Sequence, residues 1–143
     1  MKKIGIFYLF LLIISACQTE IKNDDVTIID DSIVSIIDKS SKIEIIADSL
    51  IVSEGPLWDE NSKSLIFTDV AQNKMFTWNE KEGVQDFIKP SGYTGYSPAF
   101  EEGLNGANGI MFNKSGDIVI CQHGDRRVAL IANQKTNDPI FTT

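Results

Sequence analysis

The sequence EGPLWDENSKSLIFTDV at residues 54–70 returns, with substitutions, as NGIMFNKSGDIVICQH at residues 108–123. The two stretches align when one residue is skipped in the first turn, so that Glu54 lies over Asn108. The similarity then continues into a third segment of each copy. A repeat of roughly 40 to 55 residues with three or four short strands is typical of a propeller blade. The sequence therefore predicts an all-β chain that contains about two blades of a β-propeller.

Short apolar segments separated by turn residues surround this repeat. They are rich in Ile, Val, Phe and Trp, which favour strands, and no segment has a long helical period. The polar stretches 59–63 and 113–116 have the composition of hairpin turns. We predict strands at residues 43–47, 54–58, 64–68, 73–78, 84–88, 108–112, 117–122 and 126–132.

A glycine-rich linker at residues 89–107 separates the two copies and is interpreted as an insertion between blades. Propellers close into a ring with about four to eight blades. Two blades alone would leave long unpaired strand edges. We therefore expect the chain to be a fragment of a longer propeller, or a chain that associates to hide its open edges.

The N-terminus has the layout of an export signal. Lys2 and Lys3 precede an apolar run at residues 4–14, and small residues then lead to Cys17. The run is shorter than the roughly 20 residues that a membrane-spanning helix needs. The sequence ISAC at residues 14–17 resembles the lipobox of bacterial lipoproteins, which implies cleavage after residue 16 and lipidation of Cys17. An ordinary secretory signal with a coincidental cysteine is the alternative.

Three regions follow from this interpretation. Residues 1–16 are predicted to be the signal peptide, and residues 17–39 a lipidated, acidic tether that cannot bury a face. Within the tether, residues 32–38 are ambiguous between a short helix and a strand. Residues 40–143 are predicted to form the N-terminal part of the propeller. The expected location is the cell envelope, outside the cytoplasm and attached to a membrane by lipid.

Cysteine content and charge exclude some classes of function. Cys121 is the only other cysteine, so no intramolecular disulfide is expected, and its strand-like surroundings predict a small buried core residue. The formal net charge is −7, and loss of Lys2 and Lys3 with the signal would make the chain more acidic. An acidic chain argues against a nucleic-acid partner.

The repeat also suggests a ligand site. The first strand of a blade lies nearest the propeller axis, so Glu54 and Asn108 are predicted at equivalent places beside the central channel. Oxygen ligands of this kind suit a hard cation such as Ca²⁺, although two are fewer than it requires. The alternatives are a surface glutamate and a turn asparagine. His123, the only histidine, is either a substrate contact or a structural residue.

Other residues near the repeat have simpler interpretations. Arg126 and Arg127 follow Asp125, which predicts a salt-bridged turn. Trp58 and Phe112 are predicted to be core aromatics between adjacent blades.

Three motifs in order, EGPLW at 54–58, ANGI at 107–110 and CQHGDRRV at 121–128, resemble the gluconolactonase branch of a larger family. That family also contains senescence marker protein and the luciferin-regenerating enzyme. The resemblance implies a six-bladed propeller that binds a divalent metal of the Ca²⁺ type and hydrolyses sugar lactones. It assigns Glu54 as a metal ligand and Asn108 as a contact of metal or substrate. The remaining ligands and the catalytic base would lie beyond Thr143.

The expected function is therefore a metal-dependent hydrolase of sugar lactones, anchored in the cell envelope. A non-catalytic propeller that binds carbohydrate or protein is one alternative. A metal-free enzyme resembling strictosidine synthase is another, and the fragment alone is expected to be inactive.

Overall fold

A computed structural model describes residues 26–38, 40–98, 103–132 and 141–142. The chain divides into two units, Met1–Glu44 and Ile45–Thr143. The predicted signal peptide and Cys17 lie outside the described residues. Within the part that is described, no helix is long and apolar enough to cross a membrane.

The described part of the first unit contains one short helix. A 3₁₀ helix spans Asp31–Ser35, and the carboxylate of Asp30 caps it by accepting a hydrogen bond of 2.8 Å from the backbone N–H of Ser32. None of the helix residues is buried. The segment that was ambiguous in the sequence therefore begins as a helix.

The second unit consists of two four-stranded antiparallel sheets, each formed by strands that are consecutive in the chain. We call the first sheet blade 1 and the second blade 2. Blade 1 contains β1 (Ser53–Asp59), β2 (Ser64–Asp69), β3 (Lys74–Asn79) and β4 (Gly83–Ile88). Blade 2 contains β5 (Ala107–Phe112), β6 (Ile118–Gln122), β7 (Arg127–Ile131) and β8 (Phe141–Thr142). The prediction of an all-β body with two blades is confirmed.

The sequence predictions failed at both ends of this region. The predicted strand at 43–47 is wrong, because these residues are described but form no strand. Its apolar side chains face solvent: Ile43 is 59% exposed and Ile45 86% exposed. An isoleucine-rich segment becomes a strand only when a partner strand satisfies its backbone. The short strand β8 was not predicted.

The two blades repeat each other in hydrogen-bond register as well as in sequence. Ser53 pairs with Asp69 in blade 1, and Ala107 pairs with Gln122 at the same place in blade 2. Each first strand then has an irregularity in register, and the two irregularities overlap in the repeat alignment. In blade 1 this irregularity contains Gly55, whose φ of 53° lies in the region that glycine adopts without strain.

The core lies between the blades, where β5 packs against β1 and β2. Its members are mainly aliphatic side chains that are buried in both sheets, and burial of each isoleucine or methionine stabilises the fold by about 1.5 to 3 kcal/mol. Leu57, Phe87, Ile110, Phe112 and Phe141 pack around the edge of this cluster. The buried members are Ile66, Met75, Ile88, Ala107, Ile118, Ile120, Ala129 and Ile131.

Two side chains predicted to be buried are exposed. Cys121 is an exposed free cysteine on β6, paired with Val128, which is itself 60% exposed. The repeat places Cys121 at the position of Thr68, which is fully buried in blade 1. That face of blade 1 packs on blade 2, whereas no described residue covers the corresponding face of blade 2. Trp58 is likewise 46% exposed, although its counterpart Phe112 packs against the core.

Candidate metal and substrate site

The starts of β1 and β5 lie in contact with each other. A Cβ atom at Gly55 would be only 2.5 Å from the backbone oxygen of Asn108, so these strands approach as closely as glycine allows. The hydroxyl of Thr68 donates a hydrogen bond of 3.0 Å to the same oxygen. Thr68 is also the strand partner of Glu54. The structure therefore brings the backbone positions of Glu54 and Asn108 to one edge of the two blades.

The two predicted ligand side chains keep their oxygen atoms accessible. Glu54 is exposed and Asn108 is half-buried. Among the described residues, neither the Glu54 carboxylate nor the Asn108 side-chain amide has a hydrogen-bond partner. A carboxylate and an amide oxygen are suitable ligands for Ca²⁺, which takes about six to eight oxygens. The residues present fit part of such a site, and further ligands would have to come from water or other residues.

An open cavity of about 420 Å³ lies beside Asn108. Asn108 and His123 both line this cavity, whereas Glu54, the third predicted site residue, does not. The charged side chains in the lining are Arg126 and Arg127, and no carboxylate is among the lining residues. The full lining is Asn108, Cys121, Gln122, His123, Arg126, Arg127 and Val128.

The turn between β6 and β7 is held by the segment that connects the blades. The backbone N–H of Asp125 donates to the carbonyl of Gly92 at 2.9 Å. In return, the Asp125 carboxylate accepts from the backbone N–H of Thr94 at 3.1 Å and from its hydroxyl at 2.5 Å. Asp125 is only 2% exposed. These contacts fix the turn that carries His123 at the mouth of the cavity.

Arg127 is fixed by three different contacts. Its Nε donates a hydrogen bond of 2.7 Å to Oε1 of Gln122, and its guanidinium lies 3.9 Å from the centre of the Tyr96 ring. One terminal nitrogen lies 3.8 Å from Asp125, which confirms the predicted ion pair in this turn. Gln122 is itself buried and donates to the carbonyl of Ser91 at 3.0 Å. Arg127 therefore has one well-defined position in the cavity wall.

In blade 1, Asp69 anchors the turn that follows the second strand. The carboxylate is fully buried and accepts hydrogen bonds from the backbone N–H groups of Ile51 at 2.7 Å and Gln72 at 3.1 Å, among others. Burial raises the pKa of Asp69. The hydrogen bonds from Ile51, Gln72 and Val52 lower this pKa, and because their combined effect is larger than that of burial, the pKa lies below its usual value. Asp69 is therefore charged at neutral pH and organises the turn after β2.

The described residues contain no group of three or more His, Cys, Asp or Glu side chains able to hold a metal ion. A second cavity of about 610 Å³ is larger, but it lies at the opposite end of the blade 1 strands. Trp58 and Trp78 line it together with residues of the turns around 62 and 80. It shares no residue with the cavity beside Asn108.

The sequence alone did not indicate several residues that shape this site. The sequence did not identify Gln122, Tyr96 or Ser91 as site residues. Their contacts join residues 31 positions apart or connect a loop to a turn. The alignment of Asp69 with Gln122 in the repeat could have suggested that both positions anchor the turn after the second strand.

Two consecutive four-stranded antiparallel blades, which repeat each other in sequence and in register, define a protein of the β-propeller class. Residues 52–142 match the sequence profile described as the SMP-30/Gluconolactonase/LRE-like region. This match covers more than half of the chain. The protein belongs to that family.

Individual relatives agree with this assignment. A curated protein named gluconolactonase, from Zymomonas mobilis subsp. mobilis (strain ATCC 31821 / ZM4 / CP4), is 37% identical over 94 residues. That match covers 66% of this chain and 26% of the relative. The chain therefore spans about a quarter of the length of this curated relative.

Two solved structures are also similar. A gluconolactonase from Xanthomonas campestris is 19% identical, with a TM-score of 0.52 over 68% of this chain and 28% of that protein. At that identity the likeness supports the fold alone. The crystal structure of a protein described as a putative gluconolactonase is 26% identical, with a TM-score of 0.49 over 62% of this chain and 26% of the other.

Proposed function

We propose that the protein is a hydrolase of sugar lactones that uses a divalent, oxygen-preferring cation such as Ca²⁺. The observation that carries the proposal is the contact between the starts of β1 and β5, which brings Glu54 and Asn108 to one edge in a chain of the gluconolactonase family. Both side chains offer oxygen atoms without competing partners among the described residues.

Each side chain has a role in this proposal. Glu54 would hold the cation through its carboxylate, and Asn108 would hold the cation or the substrate through its amide. A bound cation would polarise the lactone carbonyl and stabilise the charge that develops on its oxygen. His123 would contact the substrate from the cavity mouth. We expect the catalytic base to be contributed from outside residues 1–143.

The proposal is tested by lactone hydrolysis in the protein expressed from its complete gene. Gluconolactone hydrolysis is followed by acid release, with the uncatalysed rate subtracted. We expect activity that chelation abolishes and added Ca²⁺ restores, and that Glu54→Gln reduces at least about a hundredfold. Glu60→Gln, in the turn at the other end of β1, is the matched control and should retain activity. Full activity after exhaustive chelation would refute the metal requirement.

A non-catalytic propeller that binds carbohydrate or protein is the second candidate. One observation favours it: Asn108 and His123 line the cavity and supply hydrogen-bonding groups of the kind that bind sugar hydroxyls. In that case the complete protein would bind sugars without hydrolysing any lactone.

We also propose that the protein is a lipoprotein of the cell envelope, attached through Cys17. The support is the sequence pattern at residues 14–17. In growing cells, the protein should incorporate labelled fatty acid and sediment with membranes, and Cys17→Ser should abolish both. Labelling that persists in the Cys17→Ser variant would contradict this assignment.

A further inference from the structure

Asn108 lies in a bulge of β5, where the strand pairing does not fix it. Two residues of β5, Asn108 and Gly109, lie between the pairs that bound the irregularity, whereas β6 has one residue there, Cys121. A β-bulge of this kind leaves its extra residue outside the ladder and re-aims a side chain, and bulges are common beside active sites. The position of the Asn108 side chain therefore depends on contacts outside the ladder.

Thr68 of blade 1 supplies one of these contacts. It is fully buried, and its hydroxyl donates a hydrogen bond of 3.0 Å to the backbone oxygen of Asn108. Thr68 is also the strand partner of Glu54. One buried residue therefore links the two candidate ligands, because it pairs with Glu54 in the sheet and holds the backbone of Asn108 through its side chain.

Ser91, in the segment that connects the blades, supplies the second contact. Its hydroxyl accepts a hydrogen bond of 3.1 Å from the backbone N–H of Ala107, the residue before Asn108, and both partners are fully buried. Ser91 is itself fixed from two sides. Its carbonyl accepts from the side chain of Gln122 at 3.0 Å, and its backbone N–H donates to the carbonyl of Asn73 at 3.0 Å. The strand therefore enters the bulge at a fixed point.

We propose that Thr68 and Ser91 are positioning residues for the side chain of Asn108. This inference rests on the function proposed above, in which that side chain holds the cation or the substrate. Neither hydroxyl has to touch the cation or the substrate: one fixes the carbonyl of Asn108, and the other fixes the peptide group before it. Loss of such a supporting contact commonly costs about 10- to 100-fold in metal affinity or activity, because a preorganised ligand loses less freedom on binding.

Two substitutions of Thr68 separate positioning from stability. Thr68→Val keeps the shape but removes the hydroxyl, whereas Thr68→Ser keeps the hydroxyl but removes a buried methyl group, so both variants lose stability. With the protein from its complete gene, calorimetry measures Ca²⁺ affinity and kinetics measure kcat/KM for gluconolactone. We expect Thr68→Val to lower the quantity that Asn108→Ala lowers by about tenfold, and Thr68→Ser to keep it within about twofold of wild type. Equal losses in the two Thr68 variants would overturn the inference.

A double-mutant cycle tests whether Ser91 acts through Asn108. We expect Ser91→Ala to lower the same quantity about tenfold in the wild-type background, but less than about twofold when Asn108 is already alanine, because residues that act through one another are not additive. Equal factors in the two backgrounds would overturn the inference.

The matched control is Ser64→Ala. Ser64 is also buried, at 5% exposure, and its hydroxyl donates to the carbonyl of Ser62 at 3.2 Å, but it lies at the other end of β2 from Thr68. Ser64→Ala should leave Ca²⁺ affinity and kcat/KM unchanged. Urea denaturation establishes that each variant is folded, and if Ser91→Ala is not, the two Thr68 variants decide the inference.

The same measurements distinguish this inference from the proposed function. Ca²⁺ binding that requires Asn108 and the Thr68 hydroxyl, without lactone hydrolysis, would refute the proposed function and leave the positioning role standing. Hydrolysis that Asn108→Ala lowers but Thr68→Val and Ser91→Ala do not would refute the positioning role alone. An Asn108→Ala variant with unchanged Ca²⁺ affinity and unchanged hydrolysis would refute the role proposed for Asn108, and this inference with it.

Discussion

Replacing Asp69 with Asn should destabilise blade 1 although the two side chains have nearly the same shape. The Asp69 carboxylate accepts hydrogen bonds from the backbone N–H groups of Ile51 at 2.7 Å, Ala71 at 3.0 Å and Gln72 at 3.1 Å. It also accepts one of 2.8 Å from the Gln72 side chain. An asparagine has one acceptor oxygen, so at least one of these part-buried donors would face an NH₂ group instead.

The cost follows from these contacts. A buried donor left without its acceptor costs about 1 to 3 kcal/mol, and the remaining hydrogen bonds lose the assistance of the negative charge. We therefore expect Asp69→Asn to lower the free energy of unfolding by about 2 to 4 kcal/mol. The control is Asp86→Asn, because Asp86 is 68% exposed and forms a surface ion pair with Lys74. Such a pair contributes about 1 kcal/mol or less.

Urea denaturation followed by tryptophan fluorescence and circular dichroism measures both variants. The pKa of Asp69 is lowered in the folded protein, so its charge stabilises the fold fully above the unfolded pKa of about 3.9. That stabilisation is lost as the pH falls through the lower folded pKa. The difference between wild type and Asp69→Asn should thus be constant at neutral pH and shrink in strong acid. An Asp69→Asn variant within about 0.5 kcal/mol of wild type would refute this reasoning, because the loss of one charge-assisted hydrogen bond to a buried acceptor costs more.

Two further predictions concern contacts between the blades. Gly106→Ala should destabilise the protein by about 2 kcal/mol or more, because its Cβ would lie 2.5 Å from the backbone oxygen of Val70. The control is Gly103→Ala, where the added Cβ has no neighbour within 4 Å. Equal urea midpoints for the two alanine variants would contradict this close contact. Thr68→Val should cost about 1 to 2 kcal/mol, because it removes the hydrogen bond to the Asn108 carbonyl that joins blade 1 to blade 2. An unchanged midpoint for Thr68→Val would show that this bond does not stabilise the contact.

The strands of the two blades were predictable because turn residues separate them clearly. The hairpin turns at 59–63 and 113–116 set their limits, and the repeat fixed which strands correspond. Burial was harder to predict, because the strands of a blade have neighbours on both faces and lack a simple alternation of apolar and polar residues. Cys121 was therefore assigned to the core, although it faces away from blade 1.

The candidate site was only partly predictable for a different physical reason. Glu54 and Asn108 were found because the repeat gives them equivalent positions in successive blades. The contacts that fix Arg127 depend on how an irregular loop folds back on a turn, and the loop residues Ser91 and Tyr96 carry no repeated pattern. Such contacts follow from tertiary packing and not from local sequence.

The central claim is that Glu54 holds a divalent cation at the edge where β1 and β5 meet. Calcium affinity, measured by calorimetry on the protein expressed from its complete gene, tests this claim most directly. The account predicts that Glu54→Gln weakens Ca²⁺ binding at least about tenfold because it removes a charged ligand, whereas Glu60→Gln leaves the affinity unchanged. Equal Ca²⁺ affinity in wild type and Glu54→Gln would contradict the account.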